Sequence, residues 1–474
     1  MEFSGTSRDP ERLIFPMLNS YMDLKGKKVL VVGLGKSGLA AALFLRQQGA
    51  QVTVSDTRSA ESLAREIPTL IEAGIMVEAG GHGIMTFRRQ DLIVVSPGVP
   101  LDTPELAQAR VLGRPIIGEL ELAAHFLKGR MLAVTGSNGK TTTTSLLGEI
   151  MKATGEPAQV GGNIGVPVVE LIPESLENGW SVLEVSSFQL ESTAEFRPAV
   201  AVILNITPDH LDRHGSFENY ALAKERIFAA QTAADSLILN ADNERTADAA
   251  HRAQSQVYWF SSEDEVEQGA WVHDGWVLYR DRKGAPAEQV LPVANIPLKG
   301  AHNVENVLAA VAAARRAGAS NEVIRSTVER FHAVEHRLEF VASIRGVDYY
   351  NDSKATNVDA TAKAIEAFAG GIHLILGGKD KGSDYTTLSA LLKARVKAVY
   401  TIGAAAEKIE SHLKGVIALQ PCQTLERAVE AAAAAAQPGE IVLLAPACSS
   451  FDQFKSYEHR GRVFKELVAD RRSR

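Results

Sequence analysis

The sequence predicts an α/β protein built as three domains, and three observations carry that prediction. A strand, a glycine-rich turn and a helix follow one another at residues 28–48, and the same order recurs at residues 131–147. Beyond residue 334, apolar strand-like runs alternate with helical stretches, the pattern of a further α/β unit. A length of 474 residues suits several domains of ordinary size. The expected division is 1–118, with 1–23 a tail, then 119–333, then 334–474.

Composition narrows the class. The chain is 45% hydrophobic and 23% charged, as soluble globular chains are. A net charge of −7, with no basic block, argues against a nucleic-acid partner. Cys422 and Cys448 are the only cysteines, too few for a disulfide scaffold, which points to a reducing, cytoplasmic setting. No apolar run reaches the roughly 18 residues of a membrane span. The first 23 residues include Arg8, Glu11 and Arg12 and lack a signal peptide's apolar centre, so a frayed tail is expected there.

In the first domain, Lys28 to Val32 reads as a strand. Gly33-Leu34-Gly35-Lys36-Ser37-Gly38 follows, then an apolar helix from Leu39 to Gln48. A second strand, Gln51 to Val54, runs into Ser55-Asp56-Thr57-Arg58. Such a loop holds a diphosphate at a helix N-terminus, and the acid can hold a ribose. Any nucleotide diphosphate presents those groups, and glycines needed only for close helix–strand packing give the same spelling. The strand Leu92 to Val95 ends in Ser96-Pro97-Gly98-Val99-Pro100, which leaves backbone N–H groups free near the same ligand.

The central domain is organised around Met131 to Leu147. A strand enters the turn Gly136-Ser137-Asn138-Gly139, and Lys140 with Thr141 to Thr144 opens a helix. Glycines let backbone N–H groups close on phosphate oxygens, the lysine neutralises them, and a hydroxyl reaches Mg²⁺. The full P-loop spacing would put glycine at Val134, so this is a shortened form. Gly161-Gly162-Asn163-Ile164-Gly165 presents Asn163, and the strand Trp180 to Val185 carries Glu184. The strand Val200 to Leu204 runs into a loop with Asp209, His210 and Asp212. Oxygen ligands beside a phosphate loop suit Mg²⁺. Asp212 equally fits a turn cap. Lys224 lies on a helix from Phe217 to Ala230, where spacing alone makes it a solvated charge. Residues 255–297 alternate polar and apolar and read as an antiparallel β segment. Asn303 precedes an Ala-rich helix that ends at Arg316, where an N-cap role fits as well.

In the third domain, Phe340 to Tyr350 reads as a hairpin, and Asn351 to Asn357 leads into a helix. Strands follow at 372–376, 398–402 and 441–445. The loop Ala445 to Tyr457 follows the last of them, where α/β enzymes place ligand contacts. The expected architecture is therefore an N-terminal Rossmann-like domain, a central P-loop ATPase-type domain and a C-terminal Rossmann-like domain.

Longer motifs carry a resemblance. TGSNGKT at 135–141, GGNIG at 161–165, EVSSFQLE at 184–191, NITPDHLDRH at 205–214, GAHNVEN at 300–306, EHRLE at 335–339, NDSKATN at 351–357 and PACSSFDQFKSYEHRG at 446–461 resemble the Mur ligases of peptidoglycan synthesis. The resemblance spans nearly everything beyond about residue 24, and SSFQLE with the last two motifs points to the branch that adds D-glutamate. Glu335 stands where proline is usual in the family, and Tyr457 where phenylalanine is common.

The resemblance implies an ATP-dependent acid–amino-acid ligase of cell-wall synthesis, cytoplasmic and monomeric. ATP would phosphorylate the carboxylate of UDP-N-acetylmuramoyl-L-alanine, and the amine of D-glutamate would attack the acyl phosphate. It assigns Gly136, Ser137, Asn138, Gly139, Lys140, Thr141, Thr142, Asn303, Asn306, Arg337 and Asp352 to ATP. Thr141, Glu184, His210 and Lys224 match ligands of two Mg²⁺ ions, Lys224 through a CO₂-derived carbamate. Lys140, Glu184, His210 and Lys224 form the catalytic set. Gly35, Lys36, Ser37, Asp56, Thr57, Arg58, Ser96, Gly98, Asn163 and His210 match the UDP-substrate side. Lys354, Thr356, Lys381, Ser450 and Tyr457 match the D-glutamate pocket. Catalysis would need the third domain to close about a hinge near Ala333 to Arg337. A nicotinamide oxidoreductase would leave the second glycine loop unexplained, and a switch NTPase would leave the outer domains without ligands.

Overall fold

The computed structural model describes residues 22–332 and 335–472. Most of the expected tail, and Ala333 and Val334 of the expected hinge, lie outside the described residues. Three separate sheets organise the described residues.

The first sheet holds β1 (Lys28–Val32), β2 (Gln51–Asp56), β3 (Met76–Ala79), β4 (Leu92–Val95) and β5 (Ile116–Gly118). It is wholly parallel, in the order β3-β2-β1-β4-β5. Val29 to Val32 and Leu92 to Val95 are buried throughout, as continuous apolar runs in a parallel sheet covered on both faces must be. The helix after β1 spans Lys36–Gln47 and presses Ala40, Ala41 and Ala42 into the core.

The second sheet holds β6 (Arg130–Thr135), β7 (Ala158–Gly162), β8 (Trp180–Glu184), β9 (Val200–Ile203), β10 (Ser236–Asn240), β11 (Gln256–Ser261), β12 (Gly269–His273), β13 (Trp276–Arg280) and β14 (Glu288–Pro292). Its order is β14-β13-β12-β11-β10-β9-β6-β8-β7. The segment expected to be antiparallel over 255–297 is so only in part. β11 pairs parallel with both β10 and β12, and the antiparallel pairs are β12–β13 and β13–β14. Alternation along a strand reports which face is buried; it is silent on the direction of the neighbour. The helix Lys140–Ala153 packs beside the helix Ala301–Arg316, whose Val307 to Ala314 are all buried. The small alanines let that helix lie close to the sheet and carry Asn303 and Asn306 toward the loop after β6.

The third sheet holds β15 (Glu339–Ile344), β16 (Val347–Asn351), β17 (Ile372–Gly377), β18 (Val396–Ile402), β19 (Ala418–Gln423) and β20 (Ile441–Leu444), in the order β15-β16-β20-β17-β18-β19. β15 and β16 form the expected hairpin, and the other pairs are parallel. β19 escapes sequence reading because Pro421, Gln420 and Gln423 interrupt its apolar run, which an edge strand tolerates. The carboxyl ends of β1, β4, β6, β8, β9, β16 and β20 carry the loops described next. No helix among the described residues is long and apolar enough to cross a membrane.

Candidate active site

The loop after β1 is built by close approach. Gly33 has φ +86°, and a Cβ there would lie 2.6 Å from Val99 Cγ2. A Cβ on Gly38 would lie 2.0 Å from the Gly33 carbonyl oxygen, whereas one on Gly35 would meet open space. Asp56 braces the loop: its Oδ2 accepts from the Leu34 N–H at 2.6 Å and its Oδ1 from the Arg58 N–H at 2.8 Å. Burial pushes the Asp56 carboxyl up, but bonds from Arg58 and the Leu34 N–H outweigh it, so its pKa lies below the usual value. Ser96 Oγ donates to the Gly33 carbonyl at 2.6 Å. A cavity of about 820 Å³ opens here, lined by Gly35, Lys36, Ser37, Asp56, Thr57, Arg58, Ser96, Gly98 and Asn163. The Lys36 ammonium donates to the Gly165 carbonyl and so reaches the second sheet's loop.

The loop after β6 is more enclosed. Gly136 has φ +152° and Gly139 φ +85°, and a Cβ on Gly139 would lie 2.1 Å from Asn306 Oδ1. Lys140 folds back to donate to the carbonyls of Gly136 at 2.7 Å and Ser137 at 2.9 Å. Lys224 is no solvated charge: it is 1% exposed and donates to the same Gly136 carbonyl at 2.8 Å. Burial, then the neighbouring Lys140, hold its pKa well below the ordinary lysine value. Thr141 Oγ1 donates to Glu184 Oε2 at 2.8 Å and accepts from Arg337 at 3.1 Å. Asn163 Nδ2 donates to Glu184 Oε1 at 2.7 Å. Asp209 accepts from Asn357 at 3.0 Å and pairs with Lys381 at 3.5 Å. His210, at φ +52°, has its pKa lowered to about 4 by burial, with Lys381, Lys140 and Lys224 adding to it against Asp209.

A cavity of about 390 Å³ gathers thirteen of the sequence-predicted residues: Ser137, Asn138, Lys140, Asn163, Glu184, His210, Lys224, Arg337, Lys354, Thr356, Lys381, Ser450 and Tyr457. Its walls come from the second and third sheets, and Asn163 also faces the large cavity. A tighter space of about 50 Å³ adjoins Gly139, Thr142, Asn303, Asn306 and Asp352. Burial pushes the Asp352 carboxyl up to about 7 against the pull of Arg337. Burial, then Arg337, bring Lys354 down to about 8, and its Nζ donates to the Tyr457 hydroxyl at 2.8 Å.

Some placements differ from simple expectation. His210 lines the enclosed cavity and is absent from the lining of the large one. Asn303 is not an N-cap: Gly300 holds that place, and Asn303 Nδ2 donates to the Lys299 carbonyl while its Oδ1 accepts from Asn306. Asp212 is exposed and outside the three cavities. Sequence reasoning missed Asp359, which accepts from Asn138 Nδ2 and Thr207 Oγ1, and Asn357, which caps its helix and also reaches Asp209. Asn357 was visible as the end of NDSKATN; Asp359 had no local signal. Tyr220 was missed too, though its hydroxyl lies 3.0 Å from Ser137 Oγ and its ring 4.5 Å from the Lys224 ammonium.

Three α/β units that bring cationic and carboxylate side chains to strand ends around a glycine loop define a phosphate-handling α/β class. The chain belongs to the Mur ligase family. Residues 27–118 match the Mur ligase MurD-like N-terminal domain, 134–314 the Mur ligase middle domain, and 336–448 the Mur ligase glutamate ligase domain. It is 70% identical over 447 residues to the UDP-N-acetylmuramoylalanine–D-glutamate ligase of Acidobacterium capsulatum, covering 94% of this chain and 97% of that one. The ligase of the same description from Koribacter versatilis is 61% identical, covering 94% and 98%. Among solved structures, the UDP-N-acetylmuramate-alanine ligase of Thermotoga maritima superposes with TM-score 0.58 at 20% identity, covering 94% of this chain and 99% of that one. A pseudomurein peptide ligase type C from Methanothermus fervidus gives TM-score 0.59 at 18% identity, covering 94% and 100%.

Proposed function

We propose that this chain is the ATP-dependent ligase that joins D-glutamate to UDP-N-acetylmuramoyl-L-alanine, a cytoplasmic step of peptidoglycan synthesis carried out by a monomer. The observation that carries the reading is the enclosed cavity, where Lys140, Glu184 and His210 face Thr356, Lys381 and Ser450. The 70% identical relative bears the matching description. In this reading the second sheet belongs to a P-loop ATPase-type domain over 119–333, between Rossmann-like domains over 1–118 and 334–474.

Each side chain then has a task. The loop at Gly35 to Ser37, with Asp56 to Arg58, Ser96, Gly98 and Asn163, receives the UDP-sugar in the large cavity. Gly136 to Thr142 hold the ATP phosphates, and Asn303, Asn306, Arg337 and Asp352 hold the rest of the nucleotide. Lys140 exchanges two loop carbonyls for phosphate oxygens. The substrate carboxylate attacks the γ-phosphorus and ADP leaves; the neutral amine then attacks the acyl carbon, phosphate leaves, and the nitrogen loses a proton to solvent. Lys354, Thr356, Lys381, Ser450 and Tyr457 hold the amino acid. Positioning and charge neutralisation supply the rate.

The donor set fits Mg²⁺: the Thr141 hydroxyl, the Glu184 carboxylate and His210, whose lowered pKa keeps the ring neutral. Mg²⁺ there would offset phosphate charge. A lysine ammonium has no lone pair for a metal. Burial favours the neutral amine of Lys224, the form that would add CO₂ with loss of a proton; the resulting carbamate would offer two oxygens where the ammonium offers none.

The test is an amino-acid panel scored for phosphate release with UDP-N-acetylmuramoyl-L-alanine and ATP·Mg. D-Glutamate should be the substrate and L-glutamate should not. Phosphate release at the same rate without any amino acid would overturn the reading.

A further inference from the structure

Two adjacent serines in the loop after β8 do different work. Ser186 caps the short helix it begins: its Oγ accepts from the Gln189 N–H at 3.3 Å and donates to Gln189 Oε1 at 3.0 Å. Ser187 Oγ instead meets His214 Nε2 at 3.0 Å, and Nδ1 of that ring lies 3.0 Å from Glu191 Oε1. Arg213 donates to the other oxygen of the same carboxylate at 2.9 Å. Phe188 stacks on the His214 ring at 5.5 Å and Tyr220 meets it edge-on at 5.2 Å, so the ring is held in place.

The polarity of this chain follows from the carboxylate. Burial raises the Glu191 carboxyl, but bonds from His214 and Arg213 outweigh it and its pKa lies below the usual value. An ionised carboxylate only accepts, so His214 Nδ1 carries a proton; in the neutral ring Nε2 is then a bare lone pair. With that neutral ring, Ser187 Oγ donates to Nε2. Its oxygen keeps its own lone pairs for the cavity that it lines.

An incoming amine needs such an acceptor, and the charged walls supply few. Lys140, Lys354, Lys381 and Arg337 are donors. Glu184 accepts one bond on each oxygen, from Thr141 and Asn163, and in the ligase reading its remaining lone pairs serve Mg²⁺. Asp209 accepts from Asn357, Lys381 and the His210 N–H.

We propose that Ser187, oriented by His214 and Glu191, is the hydrogen-bond acceptor for the amino group of the incoming amino acid. His214 and Glu191 are positioning residues. The inference rests on the ligase reading above and adds the group that distinguishes an amine from an amine-free diacid.

The experiment compares D-glutamate as substrate with glutarate, which keeps both carboxylates and lacks the amine, as inhibitor. In Ser187→Ala the KM for D-glutamate should rise about tenfold, the worth of one hydrogen bond, while the glutarate inhibition constant stays within about twofold. His214→Phe keeps an aromatic ring against Phe188 but no longer fixes the Ser187 proton, and should give the same selective rise. Constants that rise together, or KM values unchanged in both variants, would overturn the proposal. The wild-type panel separates the two readings: if another amino acid is the substrate, the functional reading falls. The same comparison is then run with that amino acid and its deaminated analogue, and decides Ser187 by the same outcomes.

Discussion

The two glycine loops share one grammar and differ in their surroundings. After β1, the loop is braced by Asp56, backed by Ser96 and opens on a cavity of about 820 Å³. After β6, the loop is closed over by Lys140 and Lys224 on one carbonyl, and its cavity is about 390 Å³. An acid at the root of the first loop suits neutral hydroxyls and a diphosphate placed at the helix start. Crowded cations at the second suit phosphoryl transfer, where charge must be neutralised. Strand, glycine turn and helix therefore specify a place for phosphate, and the side chains brought from elsewhere specify what is done to it.

The largest effect that would sharpen this contrast is expected from Lys140→Ala. Ligation should fall by about 10³-fold or more, while UDP-substrate affinity stays within about twofold. Calorimetric titration with the UDP-substrate checks the second half, and an equal loss of affinity would merge the roles of the two loops.

Lys224 comes next. Lys224→Ala should lose about 10²-fold or more in rate, and formate or acetate should restore part of it by placing a carboxylate in the vacated space. Lys224→Arg keeps the charge but forms no carbamate, so it should stay inactive. An active arginine variant, with no rescue of the alanine one, would reduce Lys224 to a phosphate contact.

Asp56→Ala should weaken UDP-substrate binding about tenfold by releasing the Leu34 N–H and Arg58, with KM for ATP unchanged. A shift in the ATP constant instead would put nucleotide in the first cavity.

The smallest effect separates glycines within one loop. Gly38→Ala would drive a methyl into the Gly33 carbonyl and should cost about 1–3 kcal/mol in denaturant unfolding, whereas Gly35→Ala meets open space and should stay within about 0.5 kcal/mol. Equal costs would show that the first loop relaxes as a whole.

The sequence by itself determined the local pieces: both glycine turns, the apolar parallel strands, Glu184 at the end of β8 and the hairpin of β15 and β16. Turn chemistry and burial patterns are written over a few neighbouring residues, so they are legible without a fold. Tertiary structure decided the rest. Spacing read Lys224 as solvated, yet docking of its helix buries it against the Gly136 carbonyl 88 residues away. Alternation could not tell that β11 runs parallel to both neighbours. Asp359 meets Asn138 across 221 residues because the third sheet lies against the loop after β6, and Ser187 gains its polarity from His214, 27 residues on. Such pairings depend on how the three sheets dock, and no short stretch of chain encodes that.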